Sequence, residues 1–141
     1  MTTTPQYEYI VATMPLDLGE KVMKVLEYAY AVSPGVNVTK QDLIWNVFGR
    51  WIEKRDLIYC TEDRQIRDVI ALLQLDGYPI IASSGKPGYR LDPDREEIET
   101  FCKELDARIE QLRQKVLALR NPRKKYTYTP PVIEAVQAPL F

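Results

Sequence analysis

Apolar residues recur at helical spacing in several stretches of the chain, and polar breakers separate them. Val22, Val25, Leu26 and Ala29 make one stripe, and Leu43, Ile44, Val47 and Phe48 a second. Ile66, Val69, Ile70 and Leu73 make a third. Each stripe carries its own boundary signals. Asp17-Leu18-Gly19-Glu20 has the form of a capping box, so the first helix begins there and ends before Ser33-Pro34-Gly35. Thr39 is the predicted N-cap of the second helix, and Gly49 closes it. Asp76-Gly77 stops the third, with glycine suited to the left-handed residue after a helix end. The longest helix opens at Asp92-Pro93-Asp94, where Asp92, Asp94, Glu96 and Glu97 match the positive end of the dipole. It reaches Arg120 and stops at Asn121-Pro122.

Ile80–Ala82 and Tyr89–Leu91 read as two short strands joined by the turn residues 83–88, and Val38 as another short strand. Residues 50–60 are too long for the turn of a helix-turn-helix. Trp51, Ile52, Leu57, Ile58 and Tyr59 predict an inserted short helix or an ordered loop that packs its apolar groups down. Tyr7, Tyr9, Ile10 and Val11 predict a short strand or a mobile arm. The fold class is therefore α+β, mainly helical. The predicted organisation is an arm over 1–16, a helix-and-hairpin domain over 17–92, a long helix over 93–120 and a Pro-rich tail over 121–141.

In the long helix Ile98, Cys102, Leu105, Ile109, Leu112, Val116 and Leu119 follow steps of four and three, a heptad seam. Cys102, Ile109 and Val116 stand at a, and Leu105, Leu112 and Leu119 at d, a combination that favours a parallel pair. The flanking charges oppose it, because Arg108 would face Arg113 and Lys115 would face Arg120. Two readings stay open: a homodimer through 98–119, antiparallel on the charge argument, or a seam laid across its own domain.

Composition narrows the chemistry. The chain has 141 residues and 45% apolar content, enough for one core with appendages. No apolar run reaches the roughly 18 residues of a membrane span, and MTTTPQYEYIVATMPLD does not resemble a signal peptide. A soluble, cytoplasmic protein is expected. There is no histidine, which removes His-based catalytic triads. Cys60 and Cys102 stand apart without CxxC spacing, and no phosphate-binding glycine motif occurs. No enzyme activity, metal or cofactor is expected. Net charge is −1, and residues 36–91 hold eight Lys/Arg against seven Asp/Glu. Any DNA affinity would then be weak for a lone copy, since phosphate neutralisation supplies most of it.

The block from Asp63 to Leu91 resembles the recognition helix and wing of bacterial winged helix-turn-helix DNA-binding domains, of the biotin-repressor-like and small phage or prophage type. The matching features are Arg64 and Arg67, Gly77-Tyr78-Pro79-Ile80, and Gly88-Tyr89-Arg90-Leu91. The resemblance extends over about Val36 to Arg120. It implies that Arg64, Gln65, Arg67 and Asp68 face the major groove of double-stranded DNA. It also implies that Lys86 and Arg90 touch phosphate or the minor groove, with Lys40 joining them from the preceding helix. Arginine reads guanine through paired hydrogen bonds and glutamine reads adenine, which suits these positions.

The last residues, QAPLF, resemble the short peptide by which bacterial replication and repair proteins bind the β sliding clamp. Gln137, Leu140 and Phe141 carry the likeness, whereas Ala138 and Pro139 depart from the commoner residues. Upstream, Arg123-Lys124-Lys125 with Tyr126 and Tyr128 reads either as a nucleic-acid contact or as a solvated linker. The resemblances imply a phage or bacterial DNA-binding protein that acts in DNA replication or its control through the host clamp. The other readings are a dimeric transcriptional regulator and a protein-binding adaptor.

Overall fold

The computed structural model describes residues 8–82, 85–121 and 127–132. It divides into two compact units, Met1–Leu105 and Asp106–Phe141. The first holds α1 (Leu18–Val32), α2 (Lys40–Phe48), a 3-10 segment (Lys54–Tyr59), α3 (Thr61–Leu75), β1 (Ile80–Ile81) and β2 (Arg90–Leu91). α4 (Arg95–Arg120) begins in the first unit and ends in the second. Among the described residues the protein is mainly helical with one small antiparallel sheet, as expected for the α+β class.

Local chemistry accounts for the helix ends. At the start of α1, Asp17 accepts from the Glu20 amide at 2.8 Å while Glu20 accepts from the Asp17 amide at 3.1 Å. At the end of α2, Gly49 takes a left-handed conformation. α3 closes with paired bonds from the Gly77 amide to the Gln74 carbonyl and from the Tyr78 amide to the Leu73 carbonyl, the Schellman arrangement. Gln74 then donates to the Ile80 carbonyl at 2.8 Å and ties the helix end to the hairpin.

The core lies among α1, α2, α3 and the hairpin. Val22, Val25 and Leu26 of α1, Leu43 and Ile44 of α2, Ile66 of α3, and Val38 are almost completely buried. Burying such side chains contributes about 1.5–3 kcal/mol each. β1 pairs with β2 in the register Ile80 with Leu91 and Ile81 with Arg90. Next to this pair, Val38 and Tyr89 exchange backbone bonds of 2.6 and 2.9 Å. The hairpin is thereby stitched to the residue just before α2.

Three expectations need correction. Residues 8–11 form neither a strand nor a free arm. Val11 is fully buried, Tyr9 stacks on Tyr28 at 4.8 Å, and Asn46 holds the segment. The buried Asn46 side chain accepts from the Tyr9 amide and donates to the Asp42 carbonyl, while its backbone carbonyl accepts from the Val11 amide. The 50–60 segment does hold the expected short helix and buries Ile52, but its apolar groups do not all pack down, since Ile58 is 80% and Tyr59 83% exposed. With three residues per turn, one side chain in three points inward, and here it is the half-buried Leu57. Finally, the helical part of the last element starts at Arg95, three residues after Asp92. Asp92 instead accepts from the Asp94 amide at 3.1 Å, a local turn that precedes the helix.

No helix among the described residues is long and apolar enough to cross a membrane.

Candidate nucleic-acid interface

The buried stripe of α3, Ile66 and Ile70 with half-buried Val69 and Leu73, orients the rest of the helix outward. Arg64, Gln65, Arg67 and Asp68 are all exposed on that outer side. Arg64, Gln65 and Asp68 have no hydrogen bond or ion pair among the described residues, so their polar groups are available to a partner. Arg67 is partly engaged, with its Nε 3.3 Å from Asp63 Oδ2 one turn earlier. The guanidinium is 55% exposed but the Asp63 side chain only 10%, so a partner that took Arg67 would have to leave that buried carboxylate without its counter-charge.

Ile58 and Tyr59 extend the same surface. Together with Cys60, Thr61, Arg64 and Arg67 they line a recess of about 210 Å³ at the start of α3. No side chain caps this helix, so the positive end of its dipole remains at the recess, offset by Glu62 and Asp63 in the first turn. The sequence places Tyr59 among the apolar groups that pack down from this segment. Its outward position comes from the 3-10 geometry, which apolar spacing alone does not reveal.

Charges beside the recess are fixed in place. Arg50 Nη1 meets Glu62 Oε2 at 2.8 Å. A backbone amide holds the Glu62 carboxyl below the usual range, and the Cys60 and Arg50 contacts add to the effect. The Cys60 thiol donates to Glu62 at 3.3 Å and is pushed up by burial, with Glu62 reinforcing the shift. A thiol so held is a poor nucleophile. Burial likewise pushes the Tyr89 phenol up, with Asp63 adding to it and Arg67 opposing.

The other predicted contacts divide. Lys86 is exposed on the hairpin tip beside Gly85. Lys40 is half-buried on the first turn of α2. Arg90 is not a surface contact. Its side chain is only 9% exposed, with Nε 3.0 Å from Asp92, Nη2 2.8 Å from Glu97 and Nη1 3.0 Å from Asn37 Oδ1. The guanidinium fork is spent on three acceptors that join β2, the start of α4 and the Val38 region. Contrary to the expectation from the resemblance, Arg90 has no guanidinium face left for phosphate or the minor groove.

Tyr128 is 66% exposed. Arg123, Lys124, Lys125, Gln137, Leu140 and Phe141 lie outside the described residues. Among the described residues no cluster of His, Cys, Asp and Glu suits a metal ion. Comparison of the chain with known protein families, curated proteins and solved structures finds no match.

Proposed function

We propose that the first unit is a winged helix-turn-helix domain that holds double-stranded DNA, with α3 as the recognition helix and the β1–β2 hairpin as the wing. The observation that carries this reading is the placement of unpaired Arg64 and Gln65 on the outer side of α3. Support also comes from the element order: helix, Val38 bridge, helix, helix, hairpin. Arg67, Lys86 and the exposed ring of Tyr59 complete the contact set. Arginine and glutamine supply base recognition, and Lys86 supplies a phosphate contact. No step of chemistry belongs to this chain.

The wider role is replication of phage or bacterial DNA, or its control. Here the C-terminal Gln137, Leu140 and Phe141 dock in an apolar pocket of the sliding clamp while the first unit holds the template. A second reading, a protein-binding adaptor, draws on the apolar character of Ile58, Tyr59, Leu72 and Leu75, all more than 60% exposed around α3.

A fluorescent-duplex titration in low salt separates the two. For a DNA reader, Arg64→Ala and Arg67→Ala should each weaken binding by about 1–3 kcal/mol, roughly fivefold to a hundredfold. Absence of binding by the intact chain would move the assignment to the adaptor. The clamp half is checked independently. A chain ending at Val136 should lose all measurable affinity for the clamp and keep its DNA affinity, and equal clamp binding by both chains would remove the replication role.

A further inference from the structure

We infer that α4 is a dimerisation helix, paired antiparallel with α4 of a second copy so that Ile109 of each lies opposite Leu112 of the other. α4 has no buried residue, yet Ile109, Leu112, Val116 and Leu119 are between 44% and 77% exposed along one heptad seam. A row of large apolar groups at this spacing is the surface of one strand of a coiled coil. The same row identifies the occupant, because a seam with β-branched a and leucine d positions is complementary to itself.

The charges set the orientation. Flanking the seam on one side stand Glu99, Asp106, Arg113 and Arg120, acidic in the first half and basic in the second. On the other stand Arg108 and Lys115. In a parallel pair, Arg108 meets Arg113 and Lys115 meets Arg120, and symmetry doubles both repulsions. In the antiparallel register, Asp106 meets Arg113 and Glu99 meets Arg120, each twice, against the doubled Arg108–Lys115 repulsion. Attraction outnumbers repulsion only in the second arrangement. The Arg113–Glu110 pair at 3.4 Å, with side chains 70% and 54% exposed, is too weak to hold Arg113 back.

An independent observation supports this register. An apolar groove of about 680 Å³ in the first unit is lined by Leu75, Tyr78, Ile80, Phe101, Cys102 and Leu105, among others. On its rim Leu75 is 84% and Tyr78 46% exposed. The antiparallel register brings Val116 of the second copy opposite Leu105 and its Leu119 opposite Cys102. Those are two of the five α4 residues that line the groove, the others being Arg95, Ile98 and Phe101. The second copy thus covers an apolar surface left open in one chain, and it does so whether or not the wing meets DNA.

Cysteine cross-linking of the full chain tests orientation and register together. In a Cys60→Ser background, Cys102 remains as the one thiol, and the antiparallel pair keeps the two Cys102 residues about 25 Å apart at about 1.5 Å per residue. Mild oxidation should leave this chain unlinked. Adding Leu119→Cys should give a covalent dimer on a non-reducing gel, because one helix cannot close a disulfide across that span. Light scattering should give twice 16.4 kDa for the natural chain and 16.4 kDa for a folded Leu112→Asp chain. A monomer at 100 µM on the order of working concentration, cross-linking through Cys102 alone, or failure of the Leu119→Cys chain to link would each overturn the proposal.

Discussion

Gly88→Ala is expected to destabilise the first unit by about 3–5 kcal/mol, among the largest single losses available in this protein. Two costs act together. Gly88 has φ +95°, a conformation that L side chains rarely adopt. A Cβ there would also overlap the Val38 carbonyl oxygen and lie 2.8 Å from the Val38 carbonyl carbon and 3.0 Å from Thr39 Cα. These are backbone atoms that cannot swing aside. Val38 is held by its two bonds to Tyr89, and Thr39 caps α2 by accepting from the Asp42 amide. Relief would require breaking the bridge that ties the hairpin to the helices. Urea unfolding, or a fall in Tm of about 15 °C or more for a domain near 100 residues, would register the effect. Gly85→Ala is the matched control. Its φ is +84°, but nothing lies within 4 Å of the added Cβ, so only the backbone cost of about 1 kcal/mol applies. Equal losses for the two glycines would show that the close approach to Val38 contributes nothing.

Arg90→Ala is expected to cost about 3 kcal/mol of folding stability, because it strands the Asp92 carboxylate in a site where its side chain is 11% exposed. The pair with Glu97 adds little of this, since Glu97 is 49% exposed and water can replace the guanidinium there. Arg90→Lys should recover only part of the loss, as one ammonium cannot match the three directions of the fork. Had Arg90 been a phosphate ligand, the same alanine would leave the unfolding midpoint in place and weaken DNA binding with a shallower salt dependence. Denaturation and duplex titration of the one variant therefore decide between the two roles.

The case of Arg90 marks the limit of what the residue order conveys. Elements set by neighbours within a few positions were legible: the Asp17–Glu20 box, the Thr39 and Gly49 caps, the Asp76-Gly77 stop and the stripes of α1, α2 and α3. Each rests on spacing or on backbone conformation, and both are local. Arg90 gathers partners from 2, 7 and 53 positions away. Asn46 reaches back 37 positions to Tyr9. A buried arginine or asparagine looks in sequence like an exposed one until its distant acceptors are in place. Tyr59 fails in the opposite direction, since an aromatic ring at a 3-10 position reads as core and stands in solvent. The candidate interface on α3 was legible because an amphipathic helix shows both of its faces in its spacing.

The attachment of residues 8–11 to α2 changes where the smallest self-sufficient piece of this protein begins. Val11 plugs the core and the Asn46 side chain accepts from the Tyr9 amide, so the folding unit takes in Tyr9 and Val11 and does not begin at the first helix. A fusion partner joined at Asp17 would replace a core residue and leave a buried amide side chain half satisfied. Any added tag has to be joined so that Tyr9 and Val11 keep their places against α2.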